Sequence, residues 1–179
     1  MRRPETTMEY EFTFKYQLES TDSDFDELVE RLGASGCTDA LVGIGQTGRL
    51  GLKFTREAGS AKDALLSAMS DIRKAIPSAR LIEAGPDFVG LSDAAEMLGM
   101  SRQNLRKLMV SNPTFPIPVH DGSAGLWHLA DLLDWLQERN YAIESGMVEV
   151  STTARRINAT KESLHISPDE QREMAELVS

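Results

Sequence analysis

Between residues 9 and 18 hydrophobic and polar side chains alternate, with Tyr10, Phe12, Phe14, Tyr16 and Leu18 on one side and Glu9, Glu11, Thr13, Lys15 and Gln17 on the other. A period of two predicts a half-buried strand. Over 23–32 the period lengthens: Phe25, Leu28, Val29 and Leu32 follow an Asp/Ser-rich start at helical spacing, with Gly33 and Gly36 as stop signals. Residues 40–44 form an apolar run, 45–48 a glycine-rich turn, and Leu50, Leu52 and Phe54 alternate again, so two strands joined by a hairpin are expected. A second helix is predicted over 60–76, where Ala61, Leu65, Ala68, Met69, Ile72 and Ile76 make one stripe before Pro77. A short strand at 79–84 completes the order strand, helix, strand, strand, helix, strand. That order predicts a ferredoxin-like βαββαβ unit, a four-stranded antiparallel sheet with both helices on one face.

Gly85-Pro86-Asp87 is a cluster of chain breakers and marks the expected domain boundary. Beyond it short helices are predicted at 92–98, 101–110 and 129–139, with a proline-rich segment between the last two. From residue 141 onward, Ile143, Met147, Val150, Ala154, Ile157, Lys161 and Leu164 recur in steps of four and three, the spacing of a heptad seam, although the β-branched run at 148–153 opposes a helix there. Ser167-Pro168-Asp169-Glu170 opens a last short helix.

Residues 91–110, LSDAAEMLGMSRQNLRKLMV, fit a helix-turn-helix. Ala95 is the small residue where two helices cross, Gly99 makes the turn, and Leu105 returns to the core; Ser92 and Ser101 are expected to cap the two helices. The pattern holds the second helix against the first while its outer face stays free to enter a major groove. That face would present Arg102, Gln103, Asn104, Arg106 and Lys107: arginine suits guanine, glutamine and asparagine suit adenine, and lysine suits phosphate.

With Phe115-Pro116-Ile117-Pro118-Val119, Trp127 and Asp134-Trp135-Leu136 in order behind it, the stretch 88–139 resembles the AlpA/excisionase branch of MerR-like winged helix-turn-helix domains. The resemblance implies that the second helix reads double-stranded DNA and that the wing touches phosphate or the minor groove. Residue by residue, the DNA-binding set becomes Ser101, Arg102, Gln103, Asn104, Arg106 and Lys107, with His120 and Ser123 from the wing. The chain departs from the family at Asp121-Gly122-Ser123-Ala124-Gly125, which holds neither Arg nor Lys.

Charge complicates this reading. The chain has 19 Lys and Arg against 28 Asp and Glu, a formal net charge of −9, where DNA-binding domains are usually basic. Residues 1–86 hold 11 basic and 14 acidic side chains, and 87–140 and 141–179 hold 4 and 7 each, so every segment carries −3. Yet three of the four cations in the middle segment, Arg102, Arg106 and Lys107, fall on the reading helix. So few cations predict weak binding by one copy, and hence a homodimer on an inverted repeat, joined through the N-terminal module or the heptad-like tail.

Other chemistry recedes. Gly43-Ile44-Gly45-Gln46-Thr47-Gly48 spells the dinucleotide fingerprint, but a strand rather than a helix is expected after it, so it reads as a hairpin turn. His120, His128 and His165 are scattered, and Cys37 is the single cysteine, so neither a metal site, nor a cofactor, nor a nucleophilic centre is expected. Trp127 and Trp135 read as core anchors. No stretch has the roughly 20 apolar residues of a membrane helix, and Met-Arg-Arg-Pro-Glu leads into polar sequence rather than a signal core, so a cytoplasmic location is expected. The sequence thus predicts an α+β protein: a ferredoxin-like domain over 1–86, a winged helix-turn-helix over 87–140 and a partly helical tail over 141–179. Its expected role is a non-enzymatic, sequence-specific transcriptional regulator; the alternative is an antitoxin or adaptor that chiefly binds a protein partner.

Overall fold

A computed structural model describes residues 7–178; the leading Met-Arg-Arg-Pro-Glu stretch lies outside them. The fold is mixed α and β. The first half contains β1 (Met8–Gln17), α1 (Phe25–Ala34), β2 (Ala40–Ile44), β3 (Arg49–Ala58), α2 (Ala61–Ala75) and β4 (Arg80–Gly85). The sheet has the order β2-β3-β1-β4 with every neighbouring pair antiparallel. Alternation does the sorting: Tyr10, Phe12, Phe14 and Tyr16 are buried together with Leu50, Leu52 and Phe54, which face them across the ladder, and Leu28, Leu32, Leu65 and Ile72 of the two helices close the same core. Phe12 stacks on Phe54 at 5.1 Å between ring centroids. The G-x-G-x-x-G stretch forms the turn between β2 and β3, with Gly48 at φ +76°, and a strand follows it.

One charged side chain is built into this unit. Arg56 is buried between α2 and the β2 side of the sheet, where its guanidinium donates to both Asp39 carboxylate oxygens (2.6 and 2.9 Å), to Asp71 (3.0 Å), to the Ser67 hydroxyl and to the Gly36 carbonyl. The Arg56 hydrogen bonds hold the Asp39 carboxyl below its usual range against the opposing effect of burial. Cys37 is buried beside this cluster, and loss of water pushes its thiol up to about 11.

The second half comprises β5 (Phe88–Val89), α3 (Leu91–Met97), α4 (Arg102–Ser111), β6 (Trp127–His128), α5 (Leu129–Gln137), α6 (Ser145–Ser163) and α7 (Pro168–Val178). A separate core of Val89, Ala94, Ala95, Leu105, Leu129, Leu133 and Leu136 holds α3, α4 and α5 together. β5 and β6, two residues each, pair antiparallel, a contact too short to leave a periodic signal in the sequence. Helix α3 starts one residue before the expected cap: Gly90, not Ser92, is its N-cap, and no side chain caps it. No helix among the described residues is long and apolar enough to cross a membrane.

The tail departs most from expectation. The β-branched run 148–153 is helical, and the seam is spent inside the chain. Val150 and Ala154 are buried in the core of the sheet unit, Ile157 packs at its margin, and Met147 and Ile143 pack against the second core. Polar groups on α6 complete the contact. The Asn158 amide donates to the Ala84 carbonyl and accepts from the Ala84 N–H, both at 2.8 Å, as a neighbouring strand would, and Lys161 donates to the Ile82 carbonyl. The outer edge of β4 is thereby closed.

The expected linker is equally firm. Asp87 is fully buried; its carboxylate accepts from Asn158 at 2.8 Å and lies 2.7 Å from His128 Nδ1, while its carbonyl accepts from Leu129 N–H. Replacing Asn158 by Leu removes the partners of both Ala84 backbone groups and one from a buried carboxylate, and is expected to destabilise by about 3–5 kcal/mol in chemical denaturation. Because folding lowers the Asp39 carboxyl from an unfolded value near 3.8, its contribution is present above that pH and is lost as pH falls through the lower folded value. An Asp39→Asn variant is therefore expected to be less stable at neutral pH and to show a shallower acid limb below pH 4.

Candidate nucleic-acid interface

The candidate surface is set by how α3 and α4 are joined. Helix α3 ends in a paired-bond cap: Met100 N–H donates to the Ala95 carbonyl at 3.0 Å and Gly99 N–H to the Glu96 carbonyl at 3.1 Å, with Gly99 at φ +63°. This left-handed residue reverses the chain within two positions. Ser101 then caps α4, its hydroxyl accepting from Asn104 N–H at 3.1 Å. Sequence reasoning gave Ser101 two tasks, cap and DNA contact; the geometry commits its hydroxyl to the cap.

On α4, Leu105 is fully buried and Leu108 and Met109 are half-buried, which fixes the helix's rotation. Arg102, Gln103, Asn104, Arg106 and Lys107 are exposed, and Gln103, Arg106, Lys107 and Val110 share one outer stripe at spacings of three and four. No ion pair within the described residues engages Arg102, Arg106 or Lys107, whereas several cations of the sheet unit are matched: Lys15 to Glu83, Lys53 to Glu11, Arg31 to Asp22, Arg56 to Asp39. Three unpaired cations on one 10-residue helix of an acidic chain are free to meet an anion.

The segment after α4 is braced by aromatics. Phe115 packs edge-on against Trp135 at 5.1 Å and Trp127 at 6.3 Å, and Trp127 Nε1–H donates to the Pro116 carbonyl. Both tryptophans are buried, and Arg139 lies over the Trp135 ring at 3.8 Å. A tight hairpin follows: Val119 and His120 N–H donate to the Leu126 carbonyl and Leu126 N–H to the His120 carbonyl. His120 and Ser123 are both exposed on it. His128, also on this side of the chain, is turned inward to Asp87.

The outer face of the sheet suits anions poorly. A cleft of about 820 Å³ lies between the sheet's outer face and α3, with the start of α6 at its side, and Glu9, Glu11, Glu83, Asp93 and Glu144 line it against only Lys15 and Lys53. The outward positions of β1 and β3 carry no aromatic ring, so that face has no platform on which bases could stack. At Gly99 an added Cβ would meet nothing within 4 Å, so only the positive φ resists substitution. Gly99→Ala is expected to cost about 1–2 kcal/mol, and Gly99→Asn less, since asparagine tolerates that conformation; urea titrations of the two variants compare them. Comparison with known proteins finds no match among family models, curated proteins or solved structures.

Proposed function

We propose that this protein is a sequence-specific DNA-binding regulator that reads the major groove with α4. The observation that carries the reading is the exposed set Arg102, Gln103, Asn104, Arg106 and Lys107, its cations unpaired among the described residues, held by a capped, buried-backed helix after a glycine turn. The two arginines can reach guanine edges, Lys107 can reach phosphate, and the two amides can pair with adenine. The reading gains from the architecture. The strand order and the single helical layer support a ferredoxin-like first unit, and the α3–α4 corner, the hairpin at 119–126 and the closing α5 support a winged helix-turn-helix.

The wing adds His120 and Ser123 but no fixed positive charge, so α4 supplies the electrostatic attraction. Each neutralised phosphate adds about 0.9 to the salt slope, which gives a slope of roughly −3 for one copy and roughly twice that for two. We therefore infer a dimer on an inverted repeat with half-sites about one helical turn apart. With α6 committed to its own sheet, the free edge of β2, where Leu41 and Ile44 are exposed, is the seam that remains in the first unit.

DNA selection with the full chain, followed by footprinting, tests the proposal. The expected result is an inverted repeat whose binding falls at least tenfold with Arg106→Ala and becomes undetectable with Arg102→Ala and Arg106→Ala together, about 1–3 kcal/mol per base contact. Lys107→Ala is expected to weaken all sequences alike and reduce the salt slope by about 1 per copy. No enriched sequence, or binding indifferent to the arginine changes, overturns the reading.

A further inference from the structure

Helix α7 is built to form yet adds no side chain to either core. Ser167 and Glu170 cap its start reciprocally: Glu170 N–H donates to the Ser167 hydroxyl, and Ser167 N–H donates to the Glu170 carboxylate. None of its side chains is buried. Met174, Leu177 and Val178 nevertheless form an apolar stripe at helical spacing, 52, 84 and 83% exposed. An 11-residue helix is marginal in water without packing. Its charge is one-sided: Asp169, Glu170, Glu173 and Glu176 against Arg172, with Glu173 and Glu176 in no ion pair among the described residues.

A surface with the opposite properties lies at the end of α4. Met109, Val110, Phe115, Ile117 and Trp127 line an open groove of about 560 Å³ between α4 and the proline-rich segment, with Asp121 as the charged residue of its lining on the hairpin side. Val110 and Ile117 are 73 and 86% exposed. Arg106 and Lys107 stand one turn before Val110 on the same stripe, unpaired, as a basic rim. An apolar floor with cations at its α4 end and a carboxylate on the opposite, hairpin side fits an amphipathic helix whose hydrophobic stripe has carboxylates along the one side that faces α4.

We propose that α7 of one copy docks in the α4 groove of a second copy, seating Met174, Leu177 and Val178 on Val110 and Ile117 and placing Glu173 and Glu176 against Arg106 and Lys107. The second copy is the occupant because α7 leaves the chain beside β4, where Lys161 is bonded to Ile82, at the far end of a helix about 28 Å long that begins against the helical unit. Exchanged reciprocally, the contact closes as a two-fold pair rather than running on as a filament. It engages two of the three cations offered to DNA, so the acidic helix and a DNA backbone compete for the same ground. The docking itself needs only the groove and its rim, and stands or falls apart from the DNA reading.

Site-specific crosslinking of the full-length protein tests it. Cys37 is buried and its thiol is poorly ionised, so introduced cysteines report alone. A mixture of Leu177→Cys and Val110→Cys copies, mildly oxidised without DNA, is expected to form a disulfide-linked pair at least tenfold faster than Leu177→Cys mixed with Leu66→Cys, an exposed control on α2. Adding Glu173→Arg and Glu176→Arg to the Leu177→Cys copy is expected to slow the link at least tenfold, and adding Arg106→Glu and Lys107→Glu to the Val110→Cys copy to restore it. Arg102→Ala, outside the groove, leaves the rate unchanged whatever it does to DNA binding. A rate equal to the control, a failure of the charge exchange to restore it, or a link that forms only within one chain carrying both cysteines overturns the proposal.

Discussion

A carboxylate with no exposure to water ties this chain together. Burying an ionised group is costly unless every lone pair it presents meets a donor. Asp87 draws on three places: its carboxylate accepts from the Asn158 amide of α6 and lies 2.7 Å from the His128 ring of β6, and its backbone carbonyl accepts from the Leu129 N–H that opens α5. Those partners define where the helical unit and α6 sit against the sheet. Asn158 is the joint's most connected member, since the same amide also satisfies both backbone groups of Ala84. The aspartate that ends a breaker sequence therefore acts as a fastening, and its polar bonds add to the apolar bridge of α6, whose Val150 and Ala154 enter one core while Ile143 and Met147 pack on the other.

Much of the architecture was legible beforehand because it is dictated by short-range periodicity. The alternation of Tyr10 to Tyr16 and the stripe of Leu65 and Ile72 can each be satisfied by only one kind of element, and the order of elements restricts the sheet. The α3–α4 corner was legible for a different reason: Gly99 is needed for a positive φ and Ala95 and Leu105 for packing, so residue identity encodes geometry directly. What could not be read was partnership. A heptad seam looks the same whether its partner is a second chain or the sheet of its own, and Val150 and Ala154 turned out to serve the latter. Nor does sequence distinguish an aspartate at a boundary from one whose side-chain partners lie about 40 and 70 positions further on. Of the candidate interface, the exposure of Arg102 through Lys107 followed from helical phase once Leu105 was assigned to the core. Ser101's commitment to capping and the apolar groove beyond Val110 depend on the path of residues 112–127, which no periodicity describes.

Electrostatics is partitioned more finely than the equal net charge of the three segments suggests. In the sheet unit several cations are paired with neighbouring carboxylates, Arg56 the most thoroughly, and the cleft over the outer sheet face is left with excess acid. On α4 the cations are left over instead. Unlike charges on α7 are left over too. A chain of overall charge −9 can thus present a small cationic surface because three unpaired cations are gathered on one short helix. The dependence on so few charges makes any interaction through α4 sensitive to salt and to competition from acidic segments.

The closure of β4 by α6 also has a meaning in the order of synthesis. Residues 80–85 leave the ribosome about 75 residues ahead of Asn158 and Lys161, the side chains that cover that strand's outer edge. At 5–20 residues per second, the edge waits roughly 4–15 s with its hydrogen-bonding groups unmatched. In that interval the nascent sheet is open on both sides, at β2 and at β4, and is at its most vulnerable to pairing with another nascent chain. The late arrival of α6 ends that exposure on one side and fixes the helical unit, already synthesised, in the same step.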